Sequence, residues 1–485
     1  MIIRIRMRDR IFLVIFCVVV VLYRFVFEEP SNFNLQVMGI MGVVLLLFSI
    51  ASWMSRGFRF LSPYLIFLFV LYVFCYGQPL LMAFNLLSED GSLIGYLGIT
   101  RADLYNSDWL TLLMLAFFHL GALICVDKNK RKLAETRQIN NIRVSNRLKW
   151  VGLVLFIISF YPYVRETVND LVYSFIYGYG ALYEREQVTG LDHATSFLSD
   201  LFIPSVICLF IGYRDNKKIR YFLSLLLFIN IAAIFMIGGR SNGVILLAIL
   251  IIIQDSLIRH FTKKDYIILS IGTVFLLILM SALATTRNEG GRSLDVDSFS
   301  SDDNMAVKAI AEMGGSQSCL VKTMELVPSA TEDFRYGRTY FFAFTTIIPN
   351  LNFWDIHPAK KYANSSDWLT DKLGLSYGTG FSMTAEAYIN FGYFGILVFL
   401  LFGYLFAKIF GSIDSAIKKH DMGRVVFLLI IFWFALKLPR NNFINIVRPF
   451  FYIVLPIYVY CNYSLAKYAN NKDTKQSRLE GISES

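Results

Sequence analysis

The sequence predicts an all-α polytopic membrane protein with about 12 transmembrane helices, both termini cytoplasmic, and one large outer loop carrying short helices. Three observations lead there. Hydrophobic residues make up 56% of the 485 and charged residues only 17%, below the roughly 25% of a soluble domain. Apolar runs near the ~20 residues that a helix needs to cross hydrocarbon recur along the chain. Lysine and arginine fall unevenly between alternate connections. The composition excludes a soluble enzyme, a disordered tail and a disulfide-stapled secreted domain. The six cysteines form no Cys-x-x-Cys pair, and all but Cys319 lie in or at the ends of apolar runs. Neither a disulfide framework nor a zinc site is indicated.

The runs fall at 11–27, 35–54, 60–84, 109–126, 150–164, 197–213, 221–237, 243–258, 266–285, 385–410, 425–438 and 443–463. The first follows Arg4, Arg6, Arg8 and Arg10, a start resembling a signal peptide. It lacks a small-residue cleavage site and another span follows, so it reads as a retained anchor. With the N-terminus inside, the inner segments hold 29 of the 46 Lys and Arg. The first outer connection, from Glu28-Glu29-Pro30 onward, holds none, and 85–108 holds only Arg101. The formal charge of +10 therefore records topology and attraction to anionic inner-leaflet lipid, with no need for a nucleic-acid partner.

This divides the chain into spans 1 to 9 within 1–285, with an aromatic outer loop at 165–196, a large extracytoplasmic loop at 286–384, spans 10 to 12 within 385–463, and a cytoplasmic tail at 464–485. In the large loop, 305–313 reads as a short helix capped by Asp302 or Asp303 and stopped at Gly314-Gly315. A second, 318–327, is closed by Pro328, and the apolar 340–348 is too short to span and belongs at the interface.

Charges at membrane depth on the outer side are the most informative. Arg240 sits in Gly238-Gly239-Arg240-Ser241-Asn242-Gly243, a connection short enough to hold it at the mouth of two helices. Arg440 occupies the equally short Leu438-Pro439-Arg440-Asn441-Asn442, just after Lys437, and Arg448 follows roughly 7 Å into the last span. Guanidinium groups there either snorkel to the interface or converge on an anionic headgroup, whose phosphate oxygens suit their fork. A reaction at a sugar hydroxyl also needs a proton acceptor. Glu386 opens the tenth span where the large loop re-enters, and His357 in Trp354-Asp355-Ile356-His357-Pro358 is a second candidate. Asp295-Val296-Asp297 and Glu28-Glu29 have spacings at which some enzymes hold a divalent ion, but both lie in unspecific contexts and no metal is expected. No HExxH, Walker A or GxGxxG pattern occurs, which points to an already activated, membrane-resident substrate and no soluble cofactor. Tyr336, Tyr340, Trp354, Tyr362, Trp368 and Tyr377 are among the aromatics of the loop, as belt residues or as platforms for sugar faces.

Tyr336-Gly337-Arg338-Thr339-Tyr340, the following Ile347-Ile348-Pro349, and Glu386-Ala387-Tyr388-Ile389-Asn390-Phe391-Gly392-Tyr393-Phe394-Gly395 together resemble the oligosaccharide repeat-unit polymerases, or Wzy-type O-antigen polymerases. The Gly239-Arg240-Ser241 turn is similar to one in the same proteins. The chain departs at Asn350, where a basic residue after Ile-Pro is expected, leaving Lys360-Lys361 or another group to supply any charge there. The resemblance implies a bacterial plasma-membrane glycosyltransferase of the GT-C class, metal-independent, with its active site facing the periplasm or exterior. It would move a growing O-antigen, capsule or exopolysaccharide chain from undecaprenyl pyrophosphate onto the next lipid-linked repeat unit. It further implies catalytic roles for Arg240, Arg440 and Glu386, substrate contacts for Arg448, Arg287, Arg292, Arg338 and His357, and a chain-length regulator, a flippase and membrane lipid as partners. A ligase of similar architecture and a lipid-linked oligosaccharide flippase are the alternatives. A flippase should show two related halves and short outer loops, which this sequence lacks.

Overall fold

The computed structural model describes residues 2–87, 91–129, 141–178, 181–184, 190–272, 305–350, 353–375 and 378–461. Helices account for the regular structure and no strand occurs among the described residues. The first half comprises α1 (Ile2–Val26), α2 (Asn32–Met54), α3 (Pro63–Met82), α4 (Arg101–Asn129), α5 (Asn141–Tyr177), the single turn α6 (Ala181–Glu184), α7 (Gly190–Ser199), α8 (Phe202–Gly212), α9 (Lys217–Ile237) and α10 (Arg240–Ile252). Their starts follow local chemistry. Ser31 caps α2 by accepting the Asn34 amide, and Pro63 opens α3 where its missing N–H leaves no bond unmade. The second half holds the short helices α11 (Met305–Gly314), α12 (Ser318–Leu326), α13 (Arg338–Ala343), α14 (Pro358–Tyr362) and α15 (Ser365–Leu373). It closes with α16 (Met383–Phe391), α17 (Gly395–Lys418), α18 (Met422–Ala435) and α19 (Ile444–Pro449).

Among the described residues, 10 segments are long and apolar enough to cross a membrane, where the sequence suggests about 12. Two expected spans account for the difference. The first lies in α1, whose apolar stretch is interrupted by Arg24, although the helix runs the length of α4 from Asp127, which Arg10 meets, to Asn106. Arg24 is bound within the protein, donating to Asn106 Oδ1 at 2.8 Å and lying over the Tyr105 ring. The expected ninth span, 266–285, runs into 273–304 and so lies largely outside the described residues. A further correction concerns 165–196, expected to be a loop. Arg165, Glu166 and Asp170 interrupt the hydrophobic run but not the helix, and α5 continues to Tyr177. At ~1.5 Å per residue its 37 residues outreach the roughly 30 Å hydrocarbon core, so part of the helix extends beyond it.

Ion pairs gather the basic ends of the helices on one face. Arg56, after α2, is buried and reaches Asp9 of α1 at 2.5 Å and Asp127 of α4 at 3.1 Å, and Arg10 joins Asp127 at 2.6 Å. On the same connection Arg59 pairs with Asp255, in the turn that continues α10 past Ile252, at 2.7 Å. Ser241, at the opposite end of α10, therefore lies toward the other face.

At the centre, α17 runs along α4 with the backbones in contact. A Cβ placed on Gly403 would fall 1.8 Å from Phe118 O, and one on Gly121 would fall 2.0 Å from Leu400 O. Small residues permit such close approach between membrane helices, where packing rather than water exclusion holds them together. Gly403→Val should destabilise the protein by at least about 1–3 kcal/mol, read as a fall of several degrees in the unfolding midpoint of detergent-purified protein. An unchanged midpoint would mean that the pair can separate at no cost.

The described part of the large loop is seated on the bundle. Gln78 of α3 donates to Ala311 O at 3.0 Å and accepts the Leu93 amide at 2.9 Å. Gln317 donates to Ser107 Oγ at 3.0 Å and to Asp108 Oδ1, so α4 is tied to the α11–α12 junction. The helix expected at 305–313 ends at Gly314, at the expected Gly314-Gly315 stop. A 3-10 turn, Gly315–Gln317, then leads directly into α12. The stretch around 340–348 is α13 plus a 3-10 turn, Phe344–Ile347, exposing Phe341, Phe344 and Ile348 as an interfacial segment would.

Candidate active site

The site is built around α16, a nine-residue helix separated from α17 by Gly392, whose φ of 56° suits a residue without a Cβ. Ser382 caps α16 by accepting the Ala385 amide, which places Glu386 in its first turn. Glu386 is 2% exposed. Its Oε2 accepts the Phe443 amide at 2.6 Å, while Oε1 has no hydrogen-bond partner among the described residues.

Asn390, one turn further along, explains how the loop is fastened to this helix. Its Nδ2 donates to Glu386 O at 2.7 Å and to Thr339 Oγ1 at 2.6 Å. The Arg335 and Tyr336 amides donate to Ile389 O at 2.8 Å and to Asn390 O at 2.9 Å. The Tyr336-Gly337 turn, with φ of 48° and 84°, then redirects the chain into α13. The segments 336–340 and 386–395, separate in sequence, are thus bonded neighbours.

Arg335 enters the site by this route, although the sequence reading favoured Arg338. Arg338 opens α13 and is exposed. The Arg335 guanidinium lies 4.7 Å from the Trp368 ring centroid and donates to Ser365 Oγ at 3.2 Å. Burial holds it below its ordinary range, with Glu332 and Glu386 near enough to act in the opposite direction. The sequence signal was its place immediately before the Tyr-Gly turn. Tyr340 is a second neighbour of the carboxylate, its phenol pushed up by burial and by Glu386. Its ring packs against Phe443 with centroids 5.4 Å apart.

Four buried polar atoms here have no partner among the described residues: Glu386 Oε1, Tyr340 OH, Trp368 Nε1 and Asn442 Oδ1. They belong to a connected set. Asn442 donates to Asn364 Oδ1 at 3.3 Å, next to the Ser365 that holds Arg335, and precedes the Phe443 amide on Glu386. Unsatisfied buried polar atoms cost about 1–3 kcal/mol each, so such a group calls for a ligand or solvent.

Arg440 lies in a 3-10 turn, Leu438–Arg440, just before Asn442. Its Nη1 donates to Ser241 Oγ at 3.3 Å, which joins the 438–442 turn to the Gly239-Arg240-Ser241 turn across the bundle. Arg240 opens α10, but its side chain lies outside the described part of the structure. Arg448, in α19, stands 5.5 Å from the Phe197 ring centroid, and with Lys437 it flanks Asp200. No contact links it to Glu386. His357 is engaged as a cap: Nδ1 accepts the Ala359 amide at 3.1 Å and Nε2 meets Ile348 O at 2.9 Å, which uses both ring nitrogens. Arg287, Arg292 and the Asp295-Val296-Asp297 triplet lie outside the described residues.

A family model for the O-antigen polysaccharide polymerase Wzy matches residues 10–470. The chain belongs to this family. Membership in the Wzy family makes it a repeat-unit polymerase of polysaccharide biosynthesis, a glycosyltransferase-type enzyme acting on lipid-linked oligosaccharides in a membrane. No curated protein and no solved structure matches it. The Wzy segments noted in the sequence are those that Asn390 ties together, so the resemblance and the geometry meet at α16.

Proposed function

We propose that this Wzy protein extends a glycan on the outer face of the plasma membrane, drawing the growing chain from undecaprenyl pyrophosphate and placing it on the next lipid-linked repeat unit. The observation that supports this reading best is the set of unpartnered buried atoms around Glu386, next to the junction of the Arg440 and Arg240 turns. The acceptor hydroxyl oxygen attacks the anomeric carbon, the bond from that carbon to the pyrophosphate oxygen breaks, and the hydroxyl proton passes to Glu386. Charge develops on the departing pyrophosphate, and Arg440 with Arg240 stabilises it in place, as fixed cations do in water-poor sites. Arg335, Trp368 and Tyr340 line the sugar side, where a ring face and unpaired donors suit a polar, flat-faced substrate. Arg448, Arg287, Arg292 and Arg338 are assigned to the phosphates and to the glycan beyond the reacting sugars. The chemistry needs a GT-C-type membrane scaffold, no metal and no soluble cofactor, since the lipid pyrophosphate carries the activation.

Deleting the gene and resolving the surface polysaccharide on a gel tests this. A product of single repeat units is the expected outcome. Long chains retained on carrier lipid would indicate ligase activity, and an unchanged ladder would overturn the polymerase reading. Capsule, O-antigen and exopolysaccharide are distinguished by which ladder collapses.

A further inference from the structure

On the face that carries the basic helix ends, a cleft of about 600 Å³ is lined by Lys149, Tyr213, Asp215, Asn216, Lys217 and Lys218. It lies between the starts of α5 and α9 and the end of α8, far along the helices from Glu386. Lys149 Nζ sits 5.1 Å from the Tyr213 ring centroid and donates to Asn146 Oδ1 at 3.3 Å, which holds the ammonium at the cleft wall. Neither Lys217 nor Lys218 forms an ion pair among the described residues, and Asp215 is drawn toward Arg214 at 3.7 Å. Cations in the first turn of a helix oppose its dipole, so the stability of α9 does not account for them.

The surroundings name the ligand. Trp150, Tyr221 and Phe222, each immediately beyond the cleft in sequence or nearly so, are 65%, 75% and 60% exposed. Leu225 and Phe228 continue this apolar surface along α9. Exposed apolar surface of this kind on a membrane helix faces acyl chains, and aromatic side chains beside lysines mark the headgroup level. A cleft of this size accommodates a small polar headgroup. We propose that it binds the phosphate of an anionic phospholipid, with the acyl chains lying along the Trp150 and Phe222 surfaces. The three lysines neutralise the phosphate and Asn216 faces the glycerol hydroxyls of a headgroup such as phosphatidylglycerol. This site holds bulk membrane lipid and is separate from the polymerase site.

Native mass spectrometry of the full-length protein, titrated with phosphatidylglycerol, phosphatidylcholine or inorganic phosphate, reads the site directly. Phosphatidylglycerol should be retained at concentrations where phosphatidylcholine is not. Each surface lysine contributes roughly a fivefold preference for anionic lipid, so K149Q/K217Q/K218Q should weaken retention on the order of 100-fold. K263Q/K264Q, which removes two charges from another helix start on the same face, should not. If the triple variant does not yield folded protein, K218Q alone should show the roughly fivefold loss. Equal retention by the triple variant and the parent, equal binding of phosphatidylcholine, or displacement of the lipid by millimolar phosphate would each overturn the assignment.

Discussion

Arg440→Ala should reduce chain extension by about 100-fold or more while protein level and membrane insertion stay normal, so that cells carry single repeat units in place of a ladder. The size of the effect follows from where the charge is needed. A pyrophosphate leaving group gains negative charge as the glycosidic bond breaks, and a cation already fixed beside it requires no reorganisation at that moment. Arg440 is fixed in this sense by a 3-10 turn, by its bond to Ser241 Oγ and by the buried Leu438 and Pro439 before it. Arg440→Lys should recover only part of the activity, because a single ammonium cannot reproduce a bidentate fork on phosphate. Arg240→Ala should match Arg440→Ala, since the two turns are joined through Ser241. A full-length ladder from both alanine variants would remove these arginines from the mechanism. In vitro extension of lipid-linked repeats by purified protein separates this outcome from a loss of export.

The membrane character and most of the helices were legible in the sequence because an apolar run of a given length has one use in a membrane protein. What was hidden came from interactions between distant residues. Arg24 falls inside the first apolar run, and only its bond to Asn106 shows that it is held against α4. The closeness of α4 and α17 depends on Gly121 and Gly403, ordinary glycines until the two helices are placed together. Charges at 165–170 ended the fifth span on paper, yet helix formation tolerates them once the chain has left the hydrocarbon. At the site, Glu386 and Arg440 stood out by type and position. Arg335 did not: its place before the Tyr-Gly turn is its one local sign, and its role rests on the bonds from the Arg335 and Tyr336 amides to Ile389 O and Asn390 O, which join segments distant in sequence. His357 illustrates the converse. Its chemistry suggested a base, but a histidine before proline can cap the short helix that follows, and here it does.

Glu386→Gln tests the second half of the chemistry and should lower chain extension by about 100-fold to 10,000-fold with little loss of protein. Glutamine has nearly the shape of glutamate, and its carbonyl oxygen can still accept the Phe443 amide that Oε2 now holds at 2.6 Å. The contact of α16 with the 442–443 segment is therefore preserved, as are the Asn390 bonds to Glu386 O and Thr339, which involve no carboxylate oxygen. What glutamine cannot do is accept a proton from the attacking hydroxyl. Glu386→Ala differs in kind, since it also leaves the Phe443 amide without its partner, and should lower both activity and thermal stability, the latter by about 1–3 kcal/mol. The pair separates a proton acceptor from a structural acid. If the glutamine variant extends chains at the parent rate while the alanine variant is merely unstable, Glu386 is a brace for the Phe443 amide and the proton must go elsewhere. Should both variants remain well folded and only the charge-dependent step be lost, the free Oε1, buried and without a partner among the described residues, is the oxygen that meets the acceptor hydroxyl.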